Sequence, residues 1–487
     1  MSALGLRYAI LCGLSLLAAC TVGPDFTPPQ APERQPYWQG TLADPQTVQG
    51  QGQRFVAGGD LAWNWWTLFG SPPLDGLVRQ AIERNPTLEA AQASLRQSHD
   101  LLQAGQGVYY PQVGASLAGR RQRGSAEQPG LAVADSVFSV VTLGATVRYV
   151  LDVAGGQRRA VEGLQAQADL QTFRLQAAYL ALTGNVVNTA IARAAYGAQV
   201  QATERLIGLL QQQLSVADAQ VRGGTLADSA QAGLRSLIAT NEAQLADVRL
   251  RFIESGHLLA SLAGAAPNQL TLPDIPLDSL RLPHDLSVSL PSQLVRQRPD
   301  IRMAEAQLHQ ASAAIGVATA ALFPGIELTG SYGTGGTSLG SLFSGRFWSI
   351  GPTVDIPLFQ GGRLWFERKA ALEAYRQADA AYRQVVLSAF SQVADLLDAL
   401  QLDALALQKR SEAAQAADAA LQALQVSYRA GLVPYIDVLV ADVQLQQADI
   451  ALLEATAQRR QATAALFVAL GGGGWNGPAA QAGKETP

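Results

Sequence analysis

Two stretches, from about Val153 to Arg222 and from about Arg363 to Arg429, repeat apolar positions at helical spacing for roughly 70 residues without a proline. A continuous helix of that length reaches about 105 Å at 1.5 Å per residue, well beyond a globular helix. In the second stretch Ala389, Val393, Leu396, Leu400, Leu407, Ala414, Ala417, Leu421 and Leu424 keep one alternating three-four spacing, and only Asp403 and Arg410 interrupt it. A seven-residue apolar repeat held this long predicts left-handed supercoiling along neighbouring helices, and the many alanines predict close approach.

A second periodicity, of two, marks strands. Ile326, Leu328 and Tyr332 alternate with Glu327, Thr329 and Ser331; Trp348, Ile350, Val354 and Ile356 alternate with Ser349, Gly351, Thr353 and Asp355. Earlier in the chain Val141, Leu143, Ala145, Val147 and Tyr149 alternate with Thr142, Gly144, Thr146 and Arg148. Runs of about ten residues, apolar on one face and small or polar on the other, fit strands of an outer-membrane barrel. The half-buried strands of a soluble sheet show the same alternation, so the choice between the two rests on other signals.

The chain repeats itself. Asn85-Pro86, a helix and Tyr110-Pro111 align with Arg298-Pro299, a helix and Phe323-Pro324; Gly144, Arg222, Gly224 and Gly264 align with Gly351, Arg429, Gly431 and Gly471. Each copy reads helix, two strands, long helix, turn, helix, a tandem duplication. A helix from Leu74 to about Val108 and another from Thr225 to Ala263, placed end to end, match the long helix of the first copy, which predicts a uniform cylinder of helices. The linker 265–290 and the tail after Gly471 are expected around its middle.

Composition narrows the setting. The net charge is −4, and lysine occurs only at positions 369, 409 and 484, so there is no basic footprint for nucleic acid. The two cysteines, Cys12 and Cys20, lie at the extreme N-terminus and leave no disulfide framework or cysteine metal site for the body. Arg7 precedes a short apolar core, Tyr8 to Leu17, which reads as a secretory signal. Leu17-Ala18-Ala19-Cys20 resembles a lipobox, cut before Cys20 and acylated there with diacylglycerol and an N-acyl chain; a plain signal cut near Ala19 is the alternative. Two or more acyl chains anchor a protein stably. By resemblance to other bacterial lipoproteins, Thr21 rather than Asp after the cysteine favours the outer membrane. Lipidation tips the alternating strands toward the membrane reading.

Four strands do not close a barrel, and open edges are not tolerated in hydrocarbon. Sharing between chains is then required, and a cyclic homotrimer with twelve strands is the simplest closed arrangement. The expected divisions are a signal peptide over 1–19, a lipid-anchored tether over 20–73 and a first repeat over 74–264 with strands at about 112–121 and 137–150. An inter-repeat linker follows over 265–290, then a second repeat over 291–471 with strands at about 325–333 and 347–357, and a tail over 472–487.

Several motifs resemble one family throughout. Trp65-Trp66-Thr-Leu-Phe-Gly-Ser-Pro-Pro-Leu-Asp-Gly-Leu-Val, Asn85-Pro86, Tyr110-Pro111, Pro357-Leu-Phe-Gln-Gly-Gly-Arg363 and Tyr428-Arg-Ala-Gly-Leu-Val-Pro-Tyr-Ile-Asp-Val-Leu439 are similar to the TolC-like outer-membrane factors. The lipobox resembles the NodT-type lipoproteins of tripartite efflux systems, and the likeness spans Cys20 to Gly474. The resemblance implies an α+β membrane protein built on a duplicated helix-strand-strand-helix-turn-helix repeat. Four strands per chain enter a trimeric twelve-stranded outer-membrane β-barrel, continued by a long α-helical periplasmic barrel. It implies a passive exit duct, not an enzyme, with no cofactor beyond the lipid on Cys20. A periplasmic adaptor (membrane fusion protein) and an inner-membrane RND-type transporter are the implied partners. A lipid-anchored, non-conducting helical scaffold is the alternative, against which the alternating strands argue.

The resemblance also places the adaptor contact at the tips Arg222, Gly223, Gly224, Thr225, Arg429, Gly431, Leu432 and Val433, and the periplasmic gate at Tyr428, Ile436, Asp437 and Val440. Relatives often carry a second aspartate where Val440 stands, so one acidic ring from Asp437 is expected, narrowed apolarly by Ile436 and Val440. A first-turn helix carboxylate is the plain alternative for Asp437, and a packed seam residue the alternative for Tyr428.

Other signals carry little. Gly336-Thr-Ser338-Leu-Gly340 matches a nucleophile-elbow pattern but falls in an expected hairpin loop with no acid and histidine to complete it. His99, His257, His284 and His309 lack metal-ligand spacing, and Asp395 with Asp398 reads as a solvated helix face. No metal site is expected. Trp63, Trp65 and Trp66 are expected to pack the tether against the helices.

Overall fold

The computed structural model describes residues 21–30, 44–45, 52–59, 61–124, 136–289 and 291–473. Cys20, the signal peptide and the tail from Gly474 lie outside them. Six strands and eight α-helices form among the described residues, in two compact units. One contains the segment ending at Pro29, Leu95–Leu170 and Ala304–Tyr382; the other contains Gln30–Ser94, Gln171–Met303 and the chain from Arg383 onward.

The first unit is built on an antiparallel sheet of strand order β2-β3-β5-β6, with β2 Gln112–Gly124, β3 Ser136–Leu151, β5 Gly325–Gly336 and β6 Gly345–Asp355. Pro111 and Pro324 precede β2 and β5 directly, because proline ends the preceding turn and starts an extended segment without needing an N–H. The two hairpins meet through β3 and β5, where Ala145 pairs with Tyr332. β2 and β6 are the free edges.

The second unit is mostly helical. The helix expected from Leu74 to Val108 is instead two, α1 Pro72–Arg84 and α2 Pro86–Gln106. Pro86 lacks an amide hydrogen and drives Asn85 to an extended ψ of 119°. Long helices α3 Gly156–Arg222 and α7 Arg363–Arg429 each run 67 residues, and their antiparallel successors α4 Asp228–Leu262 and α8 Tyr435–Ala469 each run 35. The second repeat opens with α5 Pro291–Gln297 and α6 Pro299–Ala320, split at Arg298-Pro299 as the first pair is at Asn85-Pro86.

These breaks do the same work in both copies. Asn85 caps α2 by accepting from the Thr87 amide at 2.9 Å, and its own amide donates to the Leu262 carbonyl at 2.9 Å. In the second copy Arg298 donates to the Ala469 carbonyl at 2.8 Å. Thus the residue before each proline satisfies an orphan carbonyl in the last turn of α4 or α8.

The segment expected to be a lipid-anchored tether contributes β1 Arg54–Ala57, paired in parallel with β4 Asp285–Val288 from the linker. No local pattern announces a four-residue parallel pair joining segments 231 residues apart. Three buried arginines hold such irregular pieces to the helices: Arg459 donates to Gln53 at 3.1 Å, Arg460 to the Leu280 carbonyl at 2.9 Å, and Arg298 as above. Burial pushes the Arg460 guanidinium down to about 10, so it is still charged at neutral pH. Trp65, Trp66 and Phe69 are fully buried beside Phe467 and Tyr179, and Trp66 donates to Asp75 at 2.9 Å.

The seam of α7 also differs from expectation. Val393, Leu400, Leu407, Ala414 and Leu421 are buried, but the alternate positions are Leu397, Ala404 and Ser411 rather than Leu396, Asp403 and Arg410. Both frames share the first set, and the one adopted leaves Arg410 exposed and Asp403 only half-buried. Asp403 sits at the edge, where burial raises its carboxyl above the ordinary range while Gln458 and Arg459 oppose the shift.

Helix ends are closed by glycines with positive φ, +72° at Gly224 and Gly431 and +71° at Gly264. A Cβ on Gly224 meets nothing within 4 Å, whereas one on Gly264 lies 2.1 Å from the Arg84 carbonyl oxygen. Gly224→Ala should therefore lose only the left-handed backbone strain, about 1 kcal/mol. Gly264→Ala must also displace backbone and should lose clearly more in denaturant unfolding; equal losses would contradict this packing.

Candidate functional site

The two tips have one geometry. At the end of α3 the Thr225 amide donates to the Gln220 carbonyl and the Gly224 amide to the Val221 carbonyl, both at 2.9 Å. At the end of α7 the Leu432 amide donates to Ser427 and the Gly431 amide to Tyr428, again at 2.9 Å. This paired pattern around a left-handed glycine is the Schellman closure. It leaves Arg222, Gly223, Gly224, Thr225, Arg429, Gly431 and Leu432 exposed and Val433 half-buried.

The expected gate residues come together around the second tip. Tyr428, in the last turn of α7, lies 5.3 Å from Tyr435, the first residue of α8, ring centre to ring centre. Tyr428 and Val440 are exposed, and Ile436 and Asp437 are half-buried. Asp437 belongs to the first turn of α8, and its amide donates to the Pro434 carbonyl at 3.1 Å. A carboxylate is favoured there by the helix dipole. Ile436, Asp437 and Val440 share a face by three- and four-residue spacing, while Val438 and Ala441 pack under them against Leu421.

The sheet separates two chemistries. Register places Val113, Leu117, Leu143, Val147, Tyr149, Leu328, Tyr332, Trp348, Ile350 and Val354 on one face. Of these, Val113, Trp348 and Ile350 are more than 70% exposed. The other face carries Ser116, Thr142, Thr146, Arg148, Glu327, Thr329, Ser331 and Ser349. There Arg148 pairs with Glu327, and Ser331 bonds Ser349 directly across β5 and β6 at 2.7 Å.

One constellation was not legible in the sequence: residues 21–26 are clasped onto the first unit. The Val22 amide donates to the Ala154 carbonyl at 3.0 Å, and Arg159, almost wholly buried, pairs with Asp25 at 2.6 Å and Glu162 at 2.7 Å. Glu162 also meets His309 at 2.9 Å, and His309 stacks on Phe26 with ring centres 4.3 Å apart. A Cβ on Gly23 would lie 2.5 Å from the Gly316 Cα, so close contact there requires glycine. His309 carries no spacing signal, because its partners lie 147 and 283 residues away in the chain.

The remaining candidates resolve into structural roles. Ser338 of the elbow-like pattern bonds Ser341 at 3.1 Å and caps a short 3-10 turn over Leu339–Ser341. Asp395 and Asp398 are exposed. Among the described residues no group of three or more His, Cys, Asp or Glu side chains is placed to hold a metal ion. A cleft of about 830 Å³ in the second unit contains Arg193, 3.9 Å above the Phe252 ring and bonded to the Phe252 carbonyl. Burial lowers that guanidinium's pKa, with Asp274 opposing. Helix α7 is long and apolar enough in one window to cross a membrane, and 28% of that window is buried.

Comparison with known proteins follows the same two repeats. A family model described as outer membrane efflux protein matches residues 77–265 and 290–472. The pyoverdine export outer membrane protein OpmQ of Pseudomonas aeruginosa is 28% identical over 341 residues, 69% of this chain and 72% of that protein. Nodulation protein T of Rhizobium leguminosarum bv. viciae is 27% identical over 80% of this chain and 77% of its own length. The open-state structure of the Neisseria gonorrhoeae MtrE outer membrane channel superposes with a TM-score of 0.79 at 28% identity, covering 93% of this chain and 98% of that one.

The clasp supports a direct prediction. Arg159→Met removes two charge-assisted bonds, each contributing about 1.5–3 kcal/mol, so deuterium exchange at the Val22 amide should accelerate ~10-fold or more while amides of β3 and β5 keep their protection. Unchanged exchange at Val22 would show that Arg159 does not hold the segment.

Proposed function

Because the chain belongs to the outer membrane efflux protein family, we propose that three copies close a twelve-stranded β-barrel and form a passive exit duct with a helical periplasmic extension. The observation that carries this reading is a four-stranded sheet with one face apolar over most of its length and open at both edges. β2 and β6 run in opposite directions, so β6 of one copy pairs antiparallel with β2 of the next, and the alternation continues around a ring. Hydrocarbon requires such closure, because an unpaired backbone edge there costs several kcal/mol per group. Helices α4 and α7 support the same assembly: Leu250, Ile253, Leu387 and Leu402 are exposed on helices whose other faces are buried. Neighbouring copies would cover them.

The remaining parts take their places in this duct. Cys20 carries diacylglycerol and an N-acyl chain, and residues 21–26 hold the anchor at the end of the sheet where the helices depart. The exposed Schellman tips receive a periplasmic adaptor, and an RND-type inner-membrane transporter drives export through it. Tyr428, Ile436, Asp437 and Val440 form the gate, with three Asp437 carboxylates as a single acidic ring around the passage. No cofactor other than the lipid takes part.

Single-channel recording in a planar bilayer tests this reading. The acylated protein should give small, gated currents, and Asp437→Ala should raise ion leakage severalfold in intact trimers. No current from wild type or from Asp437→Ala would contradict the duct, and unchanged leakage in a conducting Asp437→Ala trimer would remove Asp437 from the gate.

A further inference from the structure

The apolar face of the sheet ends differently at its two ends. At the end from which the helices depart it carries Tyr149 and no arginine, and Tyr332 and Trp348 lie near its middle; toward the hairpin end it carries Arg346 of β6, two residues beyond Trp348, and then Arg121 and Arg123 of β2. All three arginines are exposed. No Asp or Glu occurs on that face of the four strands among the described residues, although both occur on the opposite face, where Glu327 and Asp355 lie. Three arginines within Arg120–Arg123 are also unusual in a chain with so few basic residues elsewhere on its strands.

Distance fixes where these arginines sit. Ten residues separate Tyr149 from Ser139, the cross-strand partner of Arg121. At about 3.3 Å per residue and a tilt near 40°, that is roughly 25 Å of height, the thickness of the apolar band of an outer-membrane barrel. Tyr149 therefore lies at one boundary of the hydrocarbon and the Arg121 and Arg123 guanidinium groups at the other. The long Arg346 side chain extends along the strand toward the same boundary. Ring closure sets β6 of one copy beside β2 of the next, which brings the Arg346 strand next to the strand carrying Arg121 and Arg123.

We propose that Arg121, Arg123 and Arg346 of the neighbouring copy form a phosphate-binding site for lipid A, the phosphorylated glycolipid of the outer leaflet; this rests on the barrel reading above. Guanidinium groups bind phosphate oxygens in bidentate pairs and are the side chains suited to it near an apolar surface. A tyrosine such as Tyr149 suits the opposite, phospholipid leaflet, where an amphipathic ring is sufficient. The asymmetry of the band thus matches the asymmetry of the membrane, and charge complementarity selects the phosphorylated lipid. Arg120, on the polar face, takes no part.

Native mass spectrometry of the detergent-purified protein tests the assignment, with lipid A, fully dephosphorylated lipid A and phosphatidylglycerol as probes. Lipid A should bind at least ~10-fold more tightly than either of the others. The triple variant Arg121→Gln, Arg123→Gln, Arg346→Gln should lose that preference, and Arg120→Gln should keep it. Equal binding of dephosphorylated lipid A or of phosphatidylglycerol would overturn the proposal, as would an equal loss in Arg120→Gln. The same spectra give the number of chains, so failure of the trimeric barrel is read separately from failure of the lipid site. Should the triple variant not assemble, the single variants Arg121→Gln and Arg346→Gln carry the test, each expected to weaken lipid A binding severalfold, and unchanged binding in both would overturn it.

Discussion

An unpaired strand edge is not stable against hydrocarbon, and that constraint organises the strand-bearing part of this protein. Lipid offers no hydrogen bonds, so every backbone amide and carbonyl at membrane depth must find a partner in protein. A sheet of order β2-β3-β5-β6 leaves two edges unsatisfied. Its apolar face, with Val113, Trp348 and Ile350 largely uncovered, is unsuited to water. In the proposed assembly, closure by further copies would resolve both problems at once, and the opposite directions of β2 and β6 would make repetition antiparallel throughout.

The helical part follows from a different economy of contacts. Small residues in the α7 seam, such as Ala404, Ala414 and Ser411, let helices approach while Asp403 stays at the seam's edge and Arg410 is exposed. Each repeat ends its short helix on the same junction, where Asn85 or Arg298 satisfies a carbonyl at the end of the partner helix. Both copies keep the junction although the residue is Asn in one and Arg in the other, because either side chain delivers an N–H donor to that carbonyl.

Much of this was legible from periodicity. Alternation along Val141–Tyr149 and Ile326–Tyr332 assigned the correct faces to β3 and β5, since a period of two has only two solutions and a one-residue slip inverts both. The long helices, their glycine closures and the duplicated layout were equally visible, as each is written in local residues. What escaped was long-range. Neither the β1–β4 pair nor the clasp of Arg159, Glu162 and His309 on Asp25 and Phe26 leaves a local pattern. The seam of α7 was assigned one residue off at alternate positions because two frames share Val393, Leu400 and Leu407, and only the cost of burying charge separates them. The break at Asn85-Pro86 was visible as a motif but not as a helix boundary. The gate assignment of Asp437 and Tyr428 rests on resemblance alone; nothing in their spacing distinguishes a pore residue from a helix cap.

Closure by shared strands is the central claim, and stoichiometry tests it most directly. Four strands per chain make any closed ring a multiple of four, and a twelve-stranded ring needs three chains. The intact mass of the detergent-solubilised, acylated protein, measured without cross-linker, should correspond to three copies of the mature chain. A stable monomer, or an assembly of two or four chains, would contradict the account.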